Sequence, residues 1–215
     1  MRCFSNHPAS LCALLACFYF EGQASAGDWP HWRGPQFNAI SSESDWSSTW
    51  PKDGPPIAWK SAVGTGFASV AVSGGRVFTV GNHDNEDTVH ALDAATGAVV
   101  WKHSYESDLG EKFFEGGPTA TPTVDGPSVY TLSRWGDLFC FDAGDGQVRW
   151  SKNIPRETAL RIPSWGFAGS PLVHEDLLLL NIGDAGVAVA KATGKIVWKS
   201  ADNDQFSIRL ASDFK

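Results

Sequence analysis

The sequence is poor in the features that carry a chain across a membrane, onto nucleic acid or into a disulfide framework. Its longest apolar run, residues 11–20, has ten residues, about half of the roughly 20 that a bilayer-spanning helix needs. Basic residues are outnumbered, 17 lysines and arginines against 24 aspartates and glutamates. A net charge of -7 offers no electrostatic footprint for a phosphate backbone, so no nucleic-acid partner is expected. Cysteine is scarce: Cys3, Cys12 and Cys17 fall in the first 26 residues, and Cys140 is the only one after them. Without that leader no internal disulfide can form. Nor are any two cysteines adjacent. His31, His83, His90, His103 and His174 lack zinc-type spacing, and there is no Gly-x-Ser-x-Gly nucleophile turn. Gly64-Thr65-Gly66 and Gly74-Gly75 are followed by no helix, so neither cradles a phosphate. Helix-type stretches are also few.

What the chain has instead is tryptophan, glycine and a phrase written three times. LDAATGAVVW at 92–101, FDAGDGQVRW at 141–150 and VAKATGKIVW at 189–198 share one plan. An apolar residue leads into a short polar turn, then a glycine, then a strand-like run that ends in tryptophan. Gly97, Gly146 and Gly194 stand at steps of 49 and 48 residues, and Trp101, Trp150 and Trp198 keep the same steps. A period of this size marks a repeat architecture. Asp93 and Asp142 stand where a carboxylate can accept from backbone N–H groups further along the turn, whereas the third copy has Ala190. The glycine suits a positive-φ position at the end of a hairpin loop. The recurring tryptophan is expected to be a packing anchor.

Each copy is preceded by a Ser/Thr-x-x-Val run, at 69–72 and 121–124, with Ser170-Pro171-Leu172-Val173 in the third. A polar turn and a second apolar run follow each. This gives four strands per repeat, at about 68–73, 76–81, 88–93 and 98–103 in the first complete copy; the second spans about 119–153 and the third about 168–200. Four short strands in about 49 residues is the arithmetic of a β-propeller blade. Pro122 and Pro171 fit first strands at an inner edge, where a missing N–H is tolerated. The longer connections, at 82–87, 104–117, 133–137 and 154–166, are expected on one face, the natural place for binding. Four regions result: an export signal at 1–26, an irregular segment at 27–56, blades at 57–200 and a tail or the start of a further blade at 201–215. The export signal rests on Arg2, the apolar run and Ala24-Ser25-Ala26 before Gly27. A lipoprotein anchor at Cys17 is the lesser alternative. The expected location is periplasmic or extracellular. Ile57-Ala58-Trp59-Lys60 reads as the last strand of an otherwise absent blade, and DWPHWRGP at 28–35 as an extended segment laid on the body.

The x-D-x-x-T-G-x-x-x-W phrase, with its Ser/Thr-Pro-x-Val strand, resembles the pyrroloquinoline quinone (PQQ) repeat over residues 57–200. That repeat builds the propellers of quinoprotein alcohol dehydrogenases and of the BamB-like envelope proteins. The resemblance implies an all-β propeller of four-stranded blades, incomplete here, with three complete blades and a partial one. It also implies that Trp101, Trp150 and Trp198 dock one blade on the next. Related propellers have about seven or eight blades and closed ones at least four, so three copies suggest a cut reading frame or self-association through open blade edges.

On function, the resemblance implies a non-enzymatic scaffold binding envelope proteins. The alternative is a PQQ-dependent dehydrogenase with Ca²⁺. No cofactor is expected, because no catalytic aspartate maps onto this chain and the cysteine pair common in the alcohol dehydrogenases is missing. The best metal candidate, His83-Asp84-Asn85-Glu86-Asp87, has oxygen ligands but reads more simply as a solvated loop. So does the acidic run Glu106, Asp108, Glu111 and Glu115. Cys140 is expected to be a small buried core residue. Phe113, Phe114, Trp135 and Trp165 lie in the long connections and are the candidate partner contacts.

Overall fold

Period-two apolar runs broken by Gly, Asp and Asn fold as antiparallel meanders, and the repeat length sets one meander per copy. The computed structural model describes residues 27–44, 46–112, 114–182 and 186–200. The expected export signal with Cys17, the candidate contact Phe113 and the tail at 201–215 lie outside the described residues. Among the described residues there are twelve strands and one short helix. The first sheet holds β1 (Ala71–Ser73), β2 (Arg76–His83), β3 (Glu86–Asp93) and β4 (Val99–Glu106). The second holds β5 (Thr123–Asp125), β6 (Ser128–Leu132), β7 (Asp137–Asp142) and β8 (Val148–Asn153), followed by α1 (Ile154–Thr158). The third holds β9 (Leu172–His174), β10 (Leu177–Leu180), β11 (Val187–Ala190) and β12 (Ile196–Lys199). Each sheet is antiparallel with its strands in chain order. Among the described residues the sheets close no ring.

Two expectations need correction. The connection at 82–87 is not a long loop. Asp84 and Asn85 stand at φ 53° and 61° and make a two-residue turn of the kind that suits strand twist, so β2 and β3 each run eight residues. The connection at 154–166 begins with a helical turn. Asn153 caps it by accepting from the N–H of Arg156 at 3.0 Å, with Pro155 in the first turn. A smaller adjustment concerns the prolines: Pro122 and Pro171 immediately precede the three-residue inner strands and do not lie within them.

The cores lie between sheets. One cluster, with Phe78, Val89 and Phe141, fills the space between the first and second sheets. Another, with Leu138, Leu178 and Val189, joins the second to the third. The middle sheet is therefore covered on both faces, which is why all five residues of β6 are buried. Cys140 belongs to the second cluster at 2% exposure, and burial pushes its thiol above the usual range, the setting of an inert core cysteine.

Docking of each tryptophan explains the glycines of the repeated phrase. The indole N–H of Trp59 donates to Ala94 O, that of Trp101 to Ala143 O and that of Trp150 to Lys191 O, each at 3.0 Å. In each case the ring lies flat on the glycine three residues later. A Cβ on Gly97, Gly146 or Gly194 would stand 2.5, 2.6 or 2.6 Å from the rings of Trp59, Trp101 or Trp150. So the turn of one copy receives the tryptophan of the copy before it. Residues 57–60 form no strand, yet Trp59 fills the docking position of a preceding blade. Trp198 is 50% exposed among the described residues.

The segment at 28–30 covers inner edges. Trp29 exchanges two backbone hydrogen bonds with Val72 of β1, and Pro30 O accepts from the N–H of Val124 in β5. This pairs backbone that would otherwise be an open edge. The inner strands are also tied to one another, with Thr123 Oγ1 donating to Pro171 O at 2.6 Å.

Candidate functional site

Three kinds of connection meet at one end of the sheets: the β2–β3 turn, the β6–β7 loop and the long β4–β5 and β8–β9 links. Between them lies a cleft of about 560 Å³. Its walls include Glu106 at the end of β4, Ser107 and Asp108 of the first link, Trp135 of the β6–β7 loop, Asp137 at the start of β7, Asn153 at the end of β8 and Arg156 of α1.

Local hydrogen bonding sets this shape. In the β6–β7 loop the Ser133 hydroxyl accepts from the N–H groups of Trp135 and Asp137 and donates to Asp137 Oδ2 at 2.9 Å. Such side-chain-to-backbone bonds close a turn locally. Asn153 Nδ2 donates to Asp137 Oδ1 at 2.7 Å, which joins the loop to the cap of α1. The indole N–H of Trp135 donates to Asp108 O at 2.6 Å and so ties the loop to the first link. That link is held from the other side by Asn85, whose Oδ1 accepts from the N–H of Leu109 and whose carbonyl accepts from the N–H of Ser107.

Behind the cleft is a buried polar group. Asp87 is 1% exposed and accepts from Asn82 Nδ2 at 2.7 Å and from the Tyr105 hydroxyl at 3.4 Å. Burial pushes its carboxyl above the usual range, against the pull of those bonds. Burial and the nearby Asp87 charge push the Tyr105 phenol well up. Asp84, three residues away, points to solvent beside His83. The acidic cluster that was the metal candidate is thus split between an exposed turn residue and a buried strand residue. Among the described residues no three Asp, Glu, His or Cys side chains stand together as metal ligands. What the cleft offers is a mixed surface: carboxylates at Glu106, Asp108 and Asp137, a guanidinium at Arg156 and an indole edge at Trp135.

The described candidate contacts, Phe114, Trp135 and Trp165, fall on this end of the protein. Trp135 lines the cleft, half-buried. Phe114 is half-buried and its ring lies 5.8 Å from that of Trp165, which is 50% exposed. Two residues on this face escaped the sequence reading. Phe67 is 55% exposed, with its ring 5.5 Å from Phe114. Arg134 is buried beneath Phe114 and Trp135. An arginine beside a tryptophan in a predicted loop was the only local signal, and it does not announce burial. The repeat positions Asp93, Gly97, Asp142, Gly146 and Gly194 lie in the β3–β4, β7–β8 and β11–β12 turns, at the opposite ends of the strands.

Comparison with known proteins agrees with this architecture. A family model described as outer membrane protein assembly factor BamB matches residues 38–117 and 85–213. The outer membrane protein assembly factor BamB of Yersinia pestis is 27% identical over 173 residues, covering 72% of this chain and 39% of the relative. Among solved structures, a quinohemoprotein alcohol dehydrogenase from Pseudomonas putida is 27% identical with a TM-score of 0.51, over 65% of this chain and 21% of that enzyme. A quinohemoprotein alcohol dehydrogenase from Comamonas testosteroni shares the fold at 21% identity and a TM-score of 0.61, over 80% of this chain and 26% of its own. The chain thus spans well under half the length of each of these relatives. Three successive four-stranded sheets are propeller blades, and with a family match running through all of them the chain belongs to the family of the outer membrane protein assembly factor BamB.

Proposed function

We propose that this chain is a non-enzymatic binding scaffold of the bacterial cell envelope, exported to the periplasm, which holds other envelope proteins against its loop face. The observation that carries this reading is the match to the BamB family across residues 38–117 and 85–213. The loop face supports it physically. An open cleft with both signs of charge, beside the exposed rings of Trp165 and Phe67, has the amphipathic character of protein contact surfaces, where aromatic residues and arginine are enriched. Among the described residues no helix is long and apolar enough to cross a membrane.

Site-specific photocrosslinking in cells tests the reading. A photoreactive residue at Trp165 is expected to give a discrete adduct with a component of the outer-membrane assembly machinery. The same residue at Val99, on an outer strand, is expected to give none. Adducts absent from both positions, or identical from both, would count against a loop-face scaffold. The second reading, a PQQ-dependent dehydrogenase, draws on the likeness to the Pseudomonas putida enzyme. Saturable quinone absorbance after addition of PQQ and Ca²⁺, with alcohol-dependent dye reduction, would establish it in place of the scaffold.

A further inference from the structure

Arg134 has the largest fully buried side chain among the described residues, at 1% exposure. Its position is made for it by two glycines from different links. A Cβ on Gly166 would lie 2.2 Å from Arg134 Cγ, and one on Gly110 would lie 2.8 Å from Arg134 Nε. Both glycines have positive φ, 73° and 64°. Bare backbone from the two links thus sandwiches one side chain. The guanidinium carbon stands 4.9 Å from the centre of the Phe114 ring and 5.7 Å from that of Trp135. Among the described residues its Nε, Nη1 and Nη2 have no hydrogen-bond partner, and none of the four ion pairs includes it.

A guanidinium cannot shed its proton to ease this burial. Contact with two aromatic faces offsets part of the lost hydration, but the N–H donors stay unmet, a state that native interiors rarely keep. A planar fork of N–H donors is the complement of a planar pair of oxygens, that is, a carboxylate held by two parallel bonds. The surroundings say what that carboxylate is attached to. Phe114 covers the guanidinium, and Phe67 and Trp165 flank Phe114 with ring centres at 5.5 and 5.8 Å, both at least half exposed. A ligand that reaches Arg134 passes these rings and leaves its remainder among them.

We propose that Arg134 anchors a binding site for a carboxylate borne on an aromatic or apolar group, with Phe67, Phe114 and Trp165 receiving the apolar part. Binding exchanges the cover of the Phe114 ring for two charge-assisted N–H···O bonds to the guanidinium. No covalent step is involved. Such a site can exist whether or not the loop face also holds envelope proteins.

Thermal melting of the full chain tests this, with benzoate, N-acetylphenylalanine and the neutral N-acetylphenylalanine amide as probes. Both acids are expected to raise Tm saturably, by about 5–10 °C at roughly 100 times Kd, and the amide to leave it unchanged. Arg134→Met removes an unpaired buried charge, so without ligand it is expected to melt at or above the wild-type Tm and to lose the response to acid. Arg134→Lys, a point charge without the fork, is expected to weaken acid binding about tenfold or more. Tighter binding of N-acetylphenylalanine than of benzoate assigns the natural carboxylate to a peptide terminus, and the reverse assigns it to a free small acid. Equal responses to acid and amide in the wild type overturn the site without recourse to any variant. So does an acid response that survives in Arg134→Met. A lower Tm for Arg134→Met, with no acid response in the wild type, would make Arg134 a structural plug.

Discussion

Asp87 shows how one side chain ties stability to pH. Its carboxyl is buried and titrates above its usual 3.8, chiefly because burial disfavours the charge. The folded chain therefore binds this proton more tightly than the unfolded chain does. The resulting stabilisation is fully present below about pH 3.8 and is lost as pH rises through the folded value. Asp87→Asn keeps the shape and does not titrate. Its Tm relative to the wild type is expected to rise between pH 3.5 and pH 7, as followed by circular dichroism on both proteins. A difference that stays constant across that range would mean that Asp87 is not the titrating group.

The hairpin turn of the repeated phrase behaves as a unit with one part missing from its third copy. Asp93 Oδ1 accepts from Ala95 N, Thr96 N and the Thr96 hydroxyl, and Asp142 Oδ1 accepts from Gly144 N. The Thr96 bonds hold the Asp93 carboxyl below its usual range, as Arg149 chiefly does for Asp142. In the third copy Ala190 offers no such acceptor, and the N–H of Thr193 reaches only Ala190 O at 3.2 Å. Ala190→Asp is expected to recruit the N–H groups of Ala192 and Thr193 and to raise Tm by about 2 °C at neutral pH. A carboxylate held low by such bonds gives its gain above about pH 3.8, and the gain disappears as pH falls through the depressed pKa. No gain at neutral pH would show that the third turn is already satisfied. These turns were legible in the sequence because their chemistry is local: aspartate at one end, glycine at the other, an apolar run on each side. The β2–β3 turn was not, because Asp84-Asn85 adopts left-handed backbone without a glycine to mark it. Arg134 was illegible for a different reason. Its burial is set by Gly110 and Gly166, which lie 24 residues before it and 32 after it, and no periodicity links the three.

Three blades in a row make a quasi-one-dimensional protein, and its stability should be divided accordingly. The first sheet shares a core with the second, and the second with the third. In such an arrangement each unit is held mainly by its neighbours' interfaces, and separate units can open at separate free energies. Trp150 is the outer bolt of the second interface, stacked on Gly194 and bonded to Lys191 O. Removing such a side chain costs about 3–5 kcal/mol. For Trp150→Ala that cost should fall on the third blade. Hydrogen exchange is expected to show the amides of β10 and β11 losing about 10²–10³-fold in protection, with β2 and β3 changed by less than about tenfold. Trp198→Ala supplies the control, because that ring is half exposed and its loss should alter neither set. Equal loss of protection in all three sheets would show that the arc unfolds as one cooperative body, and the blade-by-blade account would then fail. Uneven loss would mean that the docking tryptophan, repeated at steps of 49 and 48 residues, is the joint at which this fold can be lengthened or cut.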